Sequence, residues 1–280
     1  MKIQPKKSLG QNFLINAGIL NKIVEAVGLS SSDTVLEIGP GTGNLTKLLS
    51  DKAGRVIAIE KDRRLIEGLK EKFANTNVEI VEGDVLKFDP EKHGLKDGKY
   101  KIVGNIPYYI TSHLLRIIFD PAGSGDTADR QKKGRASSGA RRWPRPKLIV
   151  LTVQKEVAKR IVAKPPDMNL LALSIQFYSN PKIIGYISRG SFRPMPKVDS
   201  AIIKITPYNQ PTTDSETFFR VARVGFSGKR KQLVNNLSKN FGMIREDLLK
   251  IFEKVGIKSD TRAENLSLDQ WTELSKLMEK

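Results

Sequence analysis

Asn105, Ile106, Pro107 and Tyr108 follow one another one residue after the apolar pair Ile102–Val103. An Asn side chain carries an amide oxygen that accepts hydrogen bonds. Proline fixes φ and has no N–H, which helps aim the carbonyl before it, here that of Ile106, outward. Tyr108 adds a flat face, and base–aromatic stacking is worth roughly 1–3 kcal/mol. Two acceptors beside an aromatic ring suit a planar substrate that bears an amino group.

An Asn-x-Pro-Tyr run alone is often just a turn. Its place downstream of Ile38-Gly39-Pro40-Gly41-Thr42-Gly43 makes the pair specific. Thr34 to Ile38 reads as a buried strand and residues 45–49 have helical spacing, so Gly39, Gly41 and Gly43 fall on a strand-to-helix turn. Glycine lets a ligand lie against backbone amides, and the following helix N-terminus adds partial positive charge.

A second strand, residues 55–59, ends in Glu60. In doubly wound folds an acid there accepts hydrogen bonds from ribose hydroxyls, each contributing roughly 1.5–3 kcal/mol. A third strand, residues 78–81, leads into Gly83-Asp84, whose carboxylate is placed to accept from an adenine amino group. These features also fit a nicotinamide dehydrogenase, but the turn is Gly-x-Gly-x-Gly and lacks the Gly-x-Gly-x-x-Gly of dinucleotide binders.

The chain has no Cys and two His, His93 and His113. That excludes disulfides, a thiolate nucleophile and Cys-ligated zinc, and predicts no metal in the chemistry.

The 280 residues suffice for one large α/β core and a smaller second domain. No run of 18 apolar residues and no signal-peptide pattern is evident, so no membrane is expected and the cytoplasm is the simplest location. The net charge of +18 calls for a polyanionic partner such as nucleic acid. Without residues 120–147, which carry eight basic and three acidic side chains, 40 basic and 27 acidic residues remain, still +13. The basic character therefore belongs to the whole protein.

Arg220, Arg223, Lys229, Arg230, Lys231 and Lys239 lie in an acid-free stretch, 217–244, whose apolar positions predict basic helices docked on a core. The first five of these residues are the candidate RNA contacts. Near the start, Phe13 and Leu14 open an apolar pattern that runs through Ile19, Leu20, Ile23 and Val27, predicting a polar arm that leads into a helix. Further strands are expected near 101–103, 148–153, 182–187 and 201–205, with helices over 63–73, 112–118 and 155–162. Residues 121–146, rich in Gly, Ser, Ala, Lys and Arg with one Trp143, predict a disordered basic insertion. A turn-rich stretch from Pro207 to Ser215 marks the domain boundary, giving domains 1–207 and 208–280.

Taken together, these motifs resemble the ribosomal RNA adenine N6-methyltransferase family, and in particular its small-subunit dimethyltransferase branch. The resemblance covers nearly the whole chain. It is carried by Ser8-Leu9-Gly10-Gln11-Asn12-Phe13-Leu14, the Gly39 turn, Asn105-Ile106-Pro107-Tyr108, the run from Phe192 to Ser200, and the basic run from Phe226 to Leu233.

What the resemblance implies is a Rossmann-like class I methyltransferase sheet with helices on both faces, an α/β fold, plus a small C-terminal all-helical RNA-binding domain. Asn12, Leu14, Gly39, Glu60, Asp84 and Asn105 would surround S-adenosylmethionine. The Asn105 side chain and Ile106 carbonyl would accept from the target N6, and Tyr108 and Phe192 would embrace the adenine. The implied reaction dimethylates two adjacent adenosines near the 3′ end of small-subunit rRNA during late subunit assembly, and a monomer is the default expectation. The chain departs from the family in its long 121–146 connection and in Lys229-Arg230-Lys231, where the family has Arg-Arg-Lys. Two alternatives stay open: an Erm-type dimethyltransferase of large-subunit rRNA, and a non-catalytic RNA-binding assembly factor on the same scaffold.

Overall fold

The structure, a computed structural model, describes residues 5–6, 9–119, 143–209, 213–228 and 230–278. Its sheet is set by four runs that are apolar almost throughout: β2 (Thr34–Ile38), β3 (Arg55–Glu60), β5 (Tyr100–Asn105) and β6 (Leu148–Gln154). Such runs are covered on both faces, as parallel strands between helical layers are. With β4 (Val78–Glu82), β7 (Ser179–Ile187) and β9 (Ser200–Pro207) they form a seven-stranded sheet in the order β4-β3-β2-β5-β6-β9-β7.

The pairs from β4 through to β6 are parallel, and β9 runs antiparallel to β6. Helices lie on both sides: α1 (Ala17–Val27), α2 (Asn44–Ser50), α3 (Arg63–Lys72) and α4 (Thr111–Phe119). From β2 the chain first builds outward through β3 and β4, then returns to add β5 and β6 on the other side. The crevice at the carboxyl ends of β2 and β5 is thus a topological switch point, where ligands bind in such sheets.

Two sequence expectations change. Phe13 and Leu14 do not open the first helix; as β1 (Phe13–Leu14) they pair antiparallel with β8 (Phe192–Arg193). The Asn16 side chain then caps α1 by accepting from the Ile19 amide at 3.1 Å, so the helix begins three residues after Leu14. The predicted disordered insertion lies mostly outside the described residues, but its last four residues are held. Trp143 is 4% exposed and packs edge-on to Phe88 at 6.1 Å between centroids. The Tyr100 hydroxyl donates to the Pro144 carbonyl at 2.5 Å, and the Gly98 amide donates to that of Arg145 at 2.7 Å.

By packing, the chain divides into one unit of residues 1–158 and 181–207 and another of 159–180 and 208–280. The second unit contains helices that follow α5 (Lys155–Ile161): α6 (Leu170–Gln176), α7 (Ser215–Gly225), α8 (Leu233–Phe241), α9 (Arg245–Val255) and α10 (Leu268–Leu277). Its core joins Leu173 and Phe177 to Phe218, Leu237, Phe252 and Trp271. Residues 159–180, grouped with the first domain on sequence grounds, therefore pack with the later helices, because Leu173 and Phe177 find their apolar partners there.

Candidate active site

The switch point opens into a cleft of about 1040 Å³, counted out to open solvent. The turn after β2 forms its floor, with Gly39 and Gly41 at φ of +70° and +58°. A Cβ built on Gly39 would meet only the Asn105 carbonyl, at 3.9 Å, so the backbone there faces space a ligand can fill. On Gly41 the same atom would come within 2.8 Å of the Phe13 ring. Gly43 does not line the cleft: it is the N-cap of α2 and presses on Phe73, so its predicted donor contact is replaced by a packing role.

Glu60 closes β3 and is 6% exposed. One oxygen accepts from the Gly41 amide at 3.1 Å and the other from the Asp62 amide at 2.8 Å. Burial raises its pKa, and those backbone bonds hold the rise in check. Asp84 sits beyond β4, where one oxygen accepts from the Leu86 amide at 3.0 Å and the other from Lys61 Nζ at 2.9 Å. Its burial works against ionisation, but Lys61 and the Leu86 amide bring the net shift downward.

At the other side of the cleft, Asn105 ends β5. Its Nδ2 donates to the Asn12 carbonyl at 2.8 Å and its Oδ1 accepts from Thr152 Oγ1 at 2.5 Å. A carbonyl can only accept, so these partners fix which end of the amide faces which way. Ile106, Pro107 and Tyr108 line the cleft, as do Asn12, which adjoins Asn105, and Leu14. Tyr108 is half-buried, and its hydroxyl shares a hydrogen bond of 2.7 Å with Ser200. The arm is tied down by Gln11, whose Nε2 donates to Asp62 at 2.9 Å. Arg64, then Gln11, hold the Asp62 carboxyl far below the usual range.

Phe192 is elsewhere. It is 0% exposed, pairs with Leu14 between β8 and β1 and packs in the core of the first unit, outside the residues that line the cleft, whereas the family resemblance implies a contact with the base. Arg220, Arg223, Arg230 and Lys231 are exposed on the second unit, with the Arg220 guanidinium 5.6 Å from the Phe241 ring centre. Lys229 lies outside the described residues.

Three residues absent from the sequence prediction belong here. Thr152, the cross-strand partner of Asn105, is the polar residue in an otherwise apolar stretch of β6. Ser200 begins β9. Glu37, inside buried β2, lines the cleft at 1% exposure with Oε2 lacking a hydrogen-bond partner. Burial, with the nearby Glu60 charge, pushes its pKa up to about 8. A charged residue inside an apolar strand was a legible signal in both sequence and pattern.

An open backbone cradle at Gly39, two carboxylates at adjacent strand ends and a buried acid with one unpartnered oxygen fit a nucleoside ligand with polar substituents. Among the described residues no cluster of three or more His, Cys, Asp or Glu is arranged to hold a metal, and no helix is long and apolar enough to cross a membrane.

Residues 3–280 match the model of the family described as ribosomal RNA adenine dimethylase. A protein of Dehalococcoides mccartyi named ribosomal RNA small subunit methyltransferase A is 41% identical over 97% of this chain and 88% of its own length. Its namesake in Pelotomaculum thermopropionicum is 35% identical, covering 98% and 91%. Among solved structures, a dimethyladenosine transferase from Plasmodium falciparum superposes with a TM-score of 0.73 at 29% identity, covering 94% of this chain and 95% of that one. The 23S rRNA methyltransferase ErmE, at TM-score 0.75 and 23% identity over 96% and 100%, shares the fold.

Proposed function

The chain belongs to the ribosomal RNA adenine dimethylase family, whose members with small-subunit names align over nearly all of it, and from that premise we propose how this rRNA adenine dimethyltransferase works. The donor is S-adenosylmethionine, the substrate is small-subunit rRNA, and the products are two adjacent N6,N6-dimethyladenosines in a 3′-terminal hairpin loop. The observation that carries the reading is the Asn105 amide, oriented at the cleft by Asn12 and Thr152.

Gly39 and Gly41 present backbone to the donor, and Glu60 accepts its ribose hydroxyls. Each Glu60 oxygen takes one bond within the protein and has capacity for another. Asp84 accepts from the donor's adenine amino group, sharing its carboxylate with Lys61. Asn12 and Leu14 close the cleft from the arm. When bound, the donor supplies an electrophilic methyl group on a sulfonium sulfur.

The N6 lone pair of adenine is delocalised into the ring and is a poor nucleophile. Asn105 Oδ1, which accepts once from Thr152, takes a second hydrogen from N6, and the Ile106 carbonyl takes the other. Both acceptors favour a more tetrahedral nitrogen, with its lone pair directed at the methyl group. Held this way, the nitrogen would take the methyl group, the bonding pair would stay on the donor's sulfur, and the nitrogen would then lose its proton to water. Positioning and electrostatics supply the rate, with no strong base required.

Tyr108, its hydroxyl held by Ser200, is the face for the target base. Phe192 is given the role of holding Leu14 in place, as its cross-strand neighbour in the β1–β8 pair. Arg220, Arg223, Arg230 and Lys231 meet phosphates, a contact that makes RNA affinity fall steeply with salt. The enzyme acts as a monomer in the cytoplasm on immature small subunits.

Labelled S-adenosylmethionine, purified protein and immature small subunits or large-subunit rRNA test the whole reading. Label in two adjacent small-subunit adenosines is the expected product. A single labelled large-subunit adenosine means an Erm-type activity, and donor binding without transfer means an assembly factor.

A further inference from the structure

The Asn-x-Pro-Tyr run is followed by a second tyrosine. Tyr108 to Ile110 form a 3-10 turn, in which successive side chains diverge by about 120°. The two rings therefore cannot do the same work. Tyr108 turns inward to Ser200, while Tyr109 lines the same cleft with 61% of its surface exposed.

The Tyr109 ring is seated from below. A Cβ built on Gly10 would lie 3.3 Å from Cε1 and 3.4 Å from Cδ1 of this ring, and 3.4 Å from Pro107 Cβ. Gly10 has φ of +62°, so both the conformation and the space at that position favour glycine. The arm that brings Asn12 to Asn105 thus also brings a flat backbone surface against Tyr109. A cleft-lining ring that has the Gly10 backbone against its Cδ1–Cε1 side and most of its surface exposed is placed to stack a base.

We propose that Tyr109 stacks the nucleotide next to the target adenosine. The proposal rests on the reading of the cleft as an adenine N6-methylating site. A base that leaves its stack to enter such a site exposes a face of its neighbour. An aromatic ring at the rim replaces that lost contact without regard to which base it is. Tyr109 is then a substrate-binding residue for the RNA strand, separate from donor binding and from the acceptors on N6.

The test uses full-length protein and hairpin RNAs whose loop holds two adjacent adenosines, with 2-aminopurine placed at the target position or at either neighbour. With wild type and Tyr109→Phe, one neighbour position changes its fluorescence on binding; with Tyr109→Ala that change is lost. The apparent KM for unmodified hairpin rises about tenfold in Tyr109→Ala and stays within twofold in Tyr109→Phe. The donor Kd is the same in all three. Unchanged RNA KM in Tyr109→Ala, or a weakened donor Kd, overturns the proposal while leaving the methyltransferase reading intact. Silence of the target-position probe with wild type, together with no methylated product, overturns both.

Discussion

The two halves of the cleft are built in different ways. On the donor side, Glu60 reaches the Gly41 amide across 19 positions of sequence, between two strand ends that are neighbours in the sheet. On the acceptor side, Asn105 is held by Asn12, 93 positions away, and Thr152, 47 away, while Tyr108 is held by Ser200 at 92. The Gly39 turn and Glu60 follow from one β-α-β unit, with Asp84 added after the next strand. The acceptor half exists only when the arm, β6 and β9 have all come to β5. Its geometry is therefore the more vulnerable to substitutions that leave the fold standing.

The largest effect should come from the acceptor itself. Asn105→Ala is expected to cut turnover by orders of magnitude while RNA binding stays within a few-fold, because phosphate contacts dominate that affinity. Single-turnover rates beside filter binding would check this, and near-normal turnover would remove Asn105 from the chemistry.

Thr152→Val keeps shape and burial but deletes the hydroxyl that fixes Asn105 Oδ1. Loss of one such bond costs about 1–2 kcal/mol, or roughly tenfold or more in kcat. The donor KM should not move, and Thr152→Ser should restore the rate. A change in donor KM alone would mean that the two halves are not separable in this way.

Glu60→Ala addresses the other half. It should raise the donor KM by about tenfold, if roughly 1.5 kcal/mol of binding is lost, and affect kcat less. An unchanged KM would reassign Glu60 to holding the Gly41 turn alone.

The smallest effect concerns pH. Glu37 has its pKa raised from 4.5 to about 8, so the folded state holds a proton that the unfolded chain releases. Stability of the protein without ligand should therefore fall as pH rises from about 4.5 to 8 and level off above. Glu37→Gln should flatten that slope, as read by chemical denaturation. An identical slope in the variant would show that Glu37 is not the titrating group.

Much of this was legible in the chain. The strands of the sheet announce themselves as apolar runs, and the glycine turn and Asn105 to Tyr108 fall where such runs end. Glu60 could be placed because it ends its strand, and Asp84 because it follows closely on the end of the next, where the ligand edge of the sheet lies. Phe192 was placed beside the base by the family resemblance and Gly43 beside the donor by its turn, while residue type alone does not say which way a side chain points. In the fold one supports β1 from within the core, and the other packs under Phe73. Trp143 looked like part of a disordered stretch because its partner, Phe88, is far away in sequence.

Sequence by itself determined where the strands and turns of the sheet fall and that the partner is a polyanion, since periodicity, turn residues and net charge are local or additive properties, while the family resemblance implied the methyltransferase fold and the rRNA. Tertiary structure alone decided that Thr152 and Asn12 orient Asn105, that Glu37 is held protonated, that Tyr109 faces out, and that residues 159–180 pack with the later helices. Each of these depends on burial and on hydrogen bonds between distant segments, which no window of sequence contains.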